Sequence, residues 1–271
     1  YLPQGLDTAQ RYPLIAYFYE RLSDTYHNYV TPAPQPSRLN IALYVSNGYC
    51  VFVPDIVYTD GYPGQSAEDC IVPGVLQVLA EHPYIDKGRM ALQGQSWGGY
   101  QIAHLITRTT LFACAYAGAP VANMTSAYGG IRWGSGLSRA FQYERSQSRI
   151  GGPPWQLPLQ YIENSPLFWL ERVTTPLLVM HNDADGAVPW YQGIELYSAL
   201  RRLNKPVWLL NYIGEDHNLV QRKNRKDLTL RQLQFFDHYL KGAPQPRWMQ
   251  RGVPATEKSI RQGFELAPEG R

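Results

Sequence analysis

Uninterrupted runs of apolar residues recur along this chain and predict strands that are buried on both faces of a sheet. The six clearest runs span residues 14–19, 50–54, 90–93, 112–117, 176–181 and 207–212. Helices are predicted at residues 67–80, 100–109, 190–203 and 225–240. Because strands and helices alternate, the pattern predicts a doubly wound, mostly parallel α/β sheet with helices on both faces. Ligands bind such sheets at the carboxyl ends of the strands, so chemistry is expected in the loops there.

Two segments interrupt the alternation and are expected to lie outside the sheet. Residues 121–170 combine tryptophans and tyrosines with glycine and proline, which predicts a folded cap or pocket-wall insertion over the active face. Residues 242–271 contain prolines among polar residues and predict an extended C-terminal strap. A length of 271 residues is within the range of one large α/β domain, so residues 1–271 are expected to form a single domain.

The balance of charge argues against a nucleic-acid-binding surface, because 25 basic and 22 acidic residues leave a formal net charge of only +3.

The three cysteines, Cys50, Cys70 and Cys114, leave at least one thiol unpaired, so a disulfide framework is not expected. No apolar run approaches the roughly 18 residues that a membrane-spanning helix needs. The chain begins at Tyr1 without an initiating methionine, which favours a processed or excised piece. The sequence does not identify the cellular compartment of the protein, although export is favoured.

The segment Gly94-Gln95-Ser96-Trp97-Gly98 lies between a predicted strand and a predicted helix. A serine between glycines at such a junction is typical of the nucleophile elbow, a tight turn that holds the hydroxyl out at the top of a sheet. An aliphatic alcohol is a poor nucleophile at neutral pH and needs a histidine base that is oriented by a carboxylate. Ser96 is therefore a candidate nucleophile, provided that both partners follow along the chain.

Both partners are found in loops that follow later apolar runs. The loop at residues 181–189 contains Asp183 and Asp185, and the loop after residue 212 contains His217. Serine, acid and histidine in this chain order are typical of α/β-hydrolases. Each residue alone has an ordinary explanation, such as capping a turn, and the spacing does not separate the two aspartates. The joint occurrence of all three in post-strand loops favours a catalytic Ser-Asp-His triad.

Taken together, the elbow, the Asp-Ala-Asp-Gly-Ala-Val loop and the segment Glu215-Asp216-His217 resemble the catalytic domain of the prolyl oligopeptidase family of serine peptidases. The resemblance is to the dipeptidyl peptidase IV and acylaminoacyl peptidase type, and it covers residues 2 to about 241. It implies an α/β-hydrolase fold. It also implies that the catalytic acid lies three residues before the valine of its loop, at Asp185.

The resemblance further implies an oxyanion hole formed by the Trp97 amide and the Tyr19 hydroxyl. Such donors stabilise negative charge that develops only in the tetrahedral intermediate. Family members usually continue the first strand into a Gly-Gly-Pro-like turn, whereas this chain has Glu20-Arg21-Leu22. The shape of the loop around Tyr19 is therefore expected to differ from that of its relatives.

Substrate specificity in the family comes from an apolar pocket beside the nucleophile. By position, and together with Trp97, the residues expected to line it are Val121, Met124, Tyr143, Val188 and Trp190. An apolar pocket favours an apolar side chain or a proline ring on the acyl side of the cleaved bond. Proline-specific members have a pair of tyrosines where this chain has Met124-Thr125-Ser126-Ala127-Tyr128, so strict proline preference is not implied.

We therefore expect a serine hydrolase of peptidase type that cleaves peptide bonds through an acyl-enzyme and needs no metal or organic cofactor. Two alternatives stay open: a carboxylesterase on the same scaffold, and a non-catalytic interaction module with the α/β-hydrolase fold. The resemblance implies an N-terminal β-propeller in the full-length protein, which is absent from this chain. The oligomeric state is left open. Surface or packing roles are expected for His27, His82, His104 and His238.

Overall fold

A six-stranded parallel sheet forms the centre of the computed structural model, which describes residues 1–258 and 260–267. The described strands are β1 (Tyr12–Tyr17), β2 (Cys50–Phe52), β3 (Ile85–Gln95), β4 (Cys114–Gly118), β5 (Ile131–Arg132), β6 (Leu137–Ser138), β7 (Leu177–Met180) and β8 (Val207–Leu210). The central sheet has the order β2-β1-β3-β4-β7-β8, with every neighbouring pair parallel. Each predicted strand run overlaps one of these six strands, so the predicted sheet is confirmed.

Nine α-helices accompany the strands in the described part of the chain. They are α1 (Ile41–Ser46), α2 (Pro63–Glu81), α3 (Trp97–Leu105), α4 (Met124–Tyr128), α5 (Ala140–Glu144), α6 (Pro158–Glu163), α7 (Tyr191–Arg202), α8 (Arg222–Lys241) and α9 (Arg247–Arg251). The four predicted helices correspond to α2, α3, α7 and α8. The sequence pattern did not predict α1, which has only six residues. Its start is capped by Asn40, whose side-chain oxygen accepts a hydrogen bond from Leu43 N at 3.2 Å.

The two faces of the sheet belong to two separate hydrophobic cores. Leu14 and Ala16 of β1 lie in one core, together with residues of α2, α3 and α7. Ile15, between them, lies in the other core with residues of α1, α8 and α9. Because successive side chains of a strand point to opposite faces, both faces of the sheet are covered by helices. This arrangement explains the uninterrupted apolar runs in the sequence.

Residues 121–170 form short elements around a third hydrophobic core instead of joining the sheet. They include α4, the antiparallel pair β5–β6, α5 and α6. The buried side chains of Met124, Tyr143 and Tyr161 pack there with Trp97, the first residue of α3. The insertion therefore packs against the start of α3, where Trp97 and Tyr100 are both buried in this core. Its role as a cap or pocket wall stays a prediction.

The segment after α8 includes a helix within the region where the sequence predicts an extended strap. Gly242 ends α8 in the left-handed conformation, with φ of 70°. The helix α9 then buries Trp248 and Met249 in the core that it shares with α8. Residues 259 and 268–271 of the predicted strap lie outside the described residues. The apolar pair in α9 explains why this proline-rich segment folds back onto the domain.

The three cysteines are free thiols, and Cys50 and Cys114 are buried. Across residues 1–258 and 260–267, none of the helices combines the length and the apolar character that crossing a membrane requires. The stability of the fold therefore depends on the packing of its cores and not on covalent cross-links.

Truncating a core aromatic side chain should destabilise the protein strongly. Phe236 of α8 is 0% exposed, so we expect Phe236→Ala to lower the free energy of unfolding by about 3–5 kcal/mol, measured by urea titration. Phe141→Ala is the matched control, because that ring is 48% exposed and its loss should cost no more than about 0.5 kcal/mol. Similar losses for the two variants would contradict the assignment of Phe236 to the core.

Candidate active site

Ser96 occupies the turn between β3 and α3 in a backbone conformation that residues with side chains rarely adopt. Its φ is 61° and its ψ is −115°. Its amide donates to Gly118 O at 2.7 Å, and its carbonyl accepts from Tyr100 N at 3.0 Å. Hydrogen bonds on both sides therefore hold the strained residue in place. This is the geometry of a nucleophile elbow.

Gly94 and Gly98 are needed in the elbow because the neighbouring backbone leaves no room for a side chain. A Cβ atom on Gly98 would lie 2.6 Å from Phe18 O, and one on Gly94 would lie 2.9 Å from the carbonyl carbon of Gly98. The added Cβ atom on Gly98 would also lie 3.7 Å from the Cα atom of Tyr19. The residue that follows β1 by two positions, Tyr19, is therefore held against the elbow.

The loop after β7 brings one of its two aspartates against His217. Asp185 Oδ2 accepts a hydrogen bond from His217 Nδ1 at 2.7 Å. The other oxygen, Asp185 Oδ1, accepts from the amides of Ala187 and Val188, both at 2.8 Å. Asp183 instead accepts from the amide of Gly214, at 2.8 Å on the exposed side of the loop. Of the two carboxylates that the sequence spacing leaves open, Asp185 is therefore the one that can orient the histidine.

The surroundings of Asp185 keep its carboxylate ionised. Burial raises the pKa of this carboxyl, but hydrogen bonds from the side chains of His181 and His217 lower it more, so the pKa lies well below its usual range. A carboxylate can only accept, so the proton in the bond to His217 is carried by Nδ1. The other ring nitrogen, Nε2, is then the one that is free to act as a base.

His181 is a site residue that the sequence analysis did not single out. It is fully buried directly after β7, and its Nε2 lies 3.4 Å from Asp185 Oδ2 and 3.1 Å from Val188 O. The ring of Trp190 packs against it, with centroids 5.6 Å apart at an interplanar angle of 78°. The signal that could have identified His181 is its spacing, four residues before the acid in the same loop.

A side-chain hydrogen bond ties the His217 loop to the elbow. Gln95 Nε2, in the residue before Ser96, donates to His217 O at 2.9 Å. The His217 side chain is 14% exposed, so part of its ring stays accessible. Within the described residues no hydrogen bond joins Ser96 Oγ to the His217 ring. In ligand-free enzymes that contact commonly tightens only when the substrate binds.

The histidine loop is also tied to the acid loop. Asn182 Nδ2 donates to Asp216 O at 2.7 Å, and Asp216 Oδ1 accepts from Gly186 N at 2.8 Å. The same Asp216 oxygen accepts from the amide of His217 at 2.6 Å. The sheet and these contacts therefore bring the three predicted catalytic loops together at one edge.

Trp97 and Tyr19, the residues that the resemblance implies for an oxyanion hole, each have a hydrogen-bond donor. Trp97 is the first residue of α3, and the first amides of a helix have no partner within it. The Tyr19 hydroxyl oxygen accepts from Gln147 Nε2 at 2.8 Å, which leaves the hydroxyl hydrogen available for donation. Both the Trp97 amide and the Tyr19 hydroxyl are therefore able to donate a hydrogen bond.

An ion pair accompanies the unusual loop after β1. Where relatives are expected to have a Gly-Gly-Pro-like turn, Glu20 Oε1 bonds to Arg149 Nη1 at 2.9 Å. The Arg149 guanidinium also lies over the ring of Tyr58, 4.3 Å from its centroid. Tyr58 in turn accepts from Trp97 Nε1 at 3.0 Å. The ion pair between Glu20 and Arg149 therefore connects the loop after β1 to the insertion.

Most of the residues expected to line the substrate pocket share one buried cluster. Its members include Trp97, Val121, Met124, Tyr143 and Val188. These side chains come from the elbow, the insertion and the acid loop. The cluster therefore lies where the three segments meet. Trp190 packs against His181 and is not a member of this cluster.

No cluster of three or more histidine, cysteine or carboxylate side chains within residues 1–258 and 260–267 is arranged to hold a metal ion. His104 is buried inside α3, where burial lowers its pKa to about 3. It is thus a neutral packing residue. The chemistry available at this edge of the sheet is that of a serine hydroxyl, an imidazole and a carboxylate.

The low pKa of Asp185 predicts how stability depends on pH. A carboxyl whose pKa is lower in the folded than in the unfolded chain stabilises the fold above its unfolded pKa of about 3.9, and this contribution is lost as the pH falls. Between about pH 6 and pH 3, urea titrations should show a smaller loss of unfolding free energy for Asp185→Asn than for the parent. Asp183→Asn, on the exposed side of the loop, should follow the parent. Parallel curves for all three proteins would contradict the role given to Asp185.

Comparison with known proteins places the chain in a family. The model of the prolyl oligopeptidase family matches residues 35–243. The acylamino-acid-releasing enzyme of Rattus norvegicus is 35% identical over 155 residues, covering 56% of this chain and 21% of that enzyme. Dipeptidyl-peptidase 5 of Porphyromonas endodontalis is 24% identical over 239 residues, covering 82% of this chain and 32% of the relative. The chain thus spans a fifth to a third of the length of these two relatives.

Two solved structures share the fold. An acylaminoacyl peptidase in complex with Z-Gly-Gly-Phe-chloromethyl ketone has a TM-score of 0.76 at 20% identity, covering 93% of this chain and 41% of that one. The acylaminoacyl peptidase of Pyrococcus horikoshii has a TM-score of 0.73 at 21% identity, covering 89% and 39%. These likenesses confirm the predicted α/β-hydrolase fold. Because the family model matches most of the chain, this protein belongs to the prolyl oligopeptidase family.

Proposed function

We propose that this chain is the catalytic unit of a serine peptidase, with Ser96 as nucleophile, His217 as base and Asp185 as the orienting acid. The observation that carries the proposal is the 2.7 Å hydrogen bond between Asp185 Oδ2 and His217 Nδ1, in a loop tied to the elbow by Gln95. Membership of the prolyl oligopeptidase family supports the same chemistry. No other cluster of groups in the described chain combines an elbow serine with an oriented histidine.

In the proposed reaction, His217 Nε2 removes the Ser96 hydroxyl proton while Ser96 Oγ attacks the carbonyl carbon of a peptide bond. Asp185 stays ionised and stabilises the imidazolium that results. The imidazolium gives its proton to the leaving nitrogen as the C–N bond breaks, which leaves an ester between Ser96 and the acyl part. Water then attacks this ester with His217 again as base, and the acid product leaves with Ser96 restored.

The proposed oxyanion hole consists of the Trp97 amide and the Tyr19 hydroxyl. The carbonyl oxygen becomes negatively charged only in the tetrahedral intermediate, so donors aimed at it stabilise the transition state more than the bound substrate. The contact from Gln147 to the Tyr19 oxygen supports this role, because the hydroxyl accepts that bond and keeps its own hydrogen free to donate.

The proposed substrate is a peptide with an apolar residue on the acyl side of the cleaved bond. The buried cluster around Trp97 supports this preference, because Val121, Met124 and Val188 offer no charge to a substrate side chain. Two relatives bear the names acylamino-acid-releasing enzyme and dipeptidyl-peptidase. Both names describe the release of a short unit, an acylamino acid or a dipeptide, and we propose that this chain releases a unit of that size.

The full-length protein is proposed to contain an N-terminal β-propeller, as the family resemblance implies. The chain covers 21% of the rat relative and 41% of the inhibitor-bound acylaminoacyl peptidase, so much of each relative lies outside the matched region. A propeller would limit the size of the peptides that reach Ser96. The domain alone would then act on small, exposed substrates.

Covalent labelling tests the proposed nucleophile. A fluorophosphonate probe should label the parent chain and not Ser96→Ala, because the probe reacts with an activated serine. Ser135→Ala is the matched control, since that exposed hydroxyl bonds only to Arg132 O at 3.4 Å, and this variant should label like the parent. Equal labelling of Ser96→Ala and the parent, or no labelling of either, would overturn the proposal in favour of a non-catalytic module.

Comparing the turnover of amide and ester substrates distinguishes a peptidase from a carboxylesterase. If labelling depends on Ser96 but amide turnover stays at background beside rapid ester turnover, the protein is a carboxylesterase.

Removing the Tyr19 hydroxyl should slow catalysis without weakening substrate binding. We expect Tyr19→Phe to lower kcat by about one to three orders of magnitude with little change in KM, because the lost donor acts on charge formed only in the transition state. Tyr62→Phe, on a ring that is 52% exposed, serves as the control and should leave kcat unchanged. An unchanged kcat for Tyr19→Phe in steady-state assays would reject the hydroxyl as a donor.

A further inference from the structure

Arg139 is fully buried in the insertion, directly before α5, and forms no ion pair with any carboxylate of the described chain. A buried cation without an anionic partner is costly unless polar groups are arranged to solvate it. Its Nε has no hydrogen-bond partner, so the two terminal nitrogens make all of its contacts to polar groups. The groups that these nitrogens bind therefore indicate what the buried charge does.

The guanidinium joins the insertion to the loop that carries the proposed catalytic acid. Nη2 donates to the hydroxyl oxygen of Tyr143 at 2.8 Å, and Nη1 donates to the carbonyl oxygen of Ala187. That carbonyl belongs to the same peptide group as the Val188 amide. The Val188 amide donates to Asp185 Oδ1 at 2.8 Å. The buried cation and the buried carboxylate are thus bonded to opposite ends of one peptide group.

This arrangement has two physical consequences for the acid loop. A cation on the oxygen of a peptide group strengthens the hydrogen bond donated by its N–H, because linked hydrogen bonds polarise one another. The contact also fixes the plane of the peptide, and with it the direction of the N–H toward Asp185. A second contact, from Gly134 N to Gly186 O at 2.9 Å, holds the same loop against the insertion.

We propose that Arg139 is a positioning residue that acts through the Ala187–Val188 peptide to hold Asp185 in place against His217. The inference rests on the proposed function, because it assigns Arg139 a part in the same triad. Arg139 touches no reacting atom. Through Arg139 the insertion is bonded to the acid loop, because the guanidinium contacts both Tyr143 and the Ala187 carbonyl.

A double-mutant cycle separates positioning from simple structural support. We expect Arg139→Met to lower kcat for a small p-nitrophenyl ester by about ten- to hundredfold with little change in KM, because a charge-assisted hydrogen bond is lost. In an Asp185→Asn background the same substitution should change kcat by less than about twofold, since the carboxylate through which it acts is gone. Arg139→Lys, which keeps the charge and can still donate to the Ala187 carbonyl, should recover most of the rate.

Arg145→Met is the matched control, because that arginine lies in the same insertion and is exposed, and its side chain forms no hydrogen bond or ion pair within the described residues. It should leave kcat unchanged. Equal fold losses for Arg139→Met in both backgrounds, or no loss in either, would overturn the inference. If Arg139→Met does not fold, Arg139→Gln carries the same cycle with the same criteria. A parent chain with Ser96-dependent labelling but an additive cycle refutes this inference alone, whereas absence of that labelling refutes the proposed function itself.

Discussion

The burial of one ionised carboxylate is the constraint on which the active-site geometry depends. Asp185 is 5% exposed, and a charge so removed from water is tolerated only when hydrogen-bond donors surround it. Its donors are the amides of Ala187 and Val188 and the ring of His217, with the ring of His181 close beside it. Each donor that satisfies the carboxylate also fixes a piece of loop. The same contacts therefore keep the Asp185 carboxylate ionised and orient the ring of His217.

The parallel sheet is what allows distant parts of the chain to meet these requirements. The loops after β3, β7 and β8 leave the sheet at the same edge because their strands run in the same direction. Gln95 and His217 are 122 positions apart in the chain and yet joined by a hydrogen bond. The insertion adds a third core against this edge, centred on Trp97. Rigid strands thus set the spacing of the catalytic groups, and the loops adjust their orientation.

The sequence predicts the sheet, the long helices and the elbow well, because burial on both faces leaves continuous apolar runs and a tight turn demands glycine. It does not separate Asp183 from Asp185, since both carboxylates lie in one short loop and differ in burial and in contacts to distant residues, including the bond from His217 to Asp185. It does not predict α1, because six residues are too few to show the repeated spacing of apolar residues that indicates a helix. His181 and Arg139 are missed for a further reason: a single polar residue in a loop carries no pattern, and its importance comes from partners far away in the chain. The sequence also does not reveal that the ring of Trp190 packs against His181, whereas the other residues predicted for the pocket share one buried cluster with Trp97.

In the proposed mechanism, the imidazole of His217, held by Asp185, activates the hydroxyl of Ser96. A crystal structure of the chain after reaction with a fluorophosphonate tests it most directly, because the adduct marks the nucleophile and shows the base in its working position. Phosphorus should be bonded to Ser96 Oγ, with His217 Nε2 within about 2.6–3.2 Å of an oxygen of the adduct and His217 Nδ1 still hydrogen-bonded to Asp185. Phosphorus on another residue, or a His217 ring turned away from both Asp185 and the adduct, would contradict it.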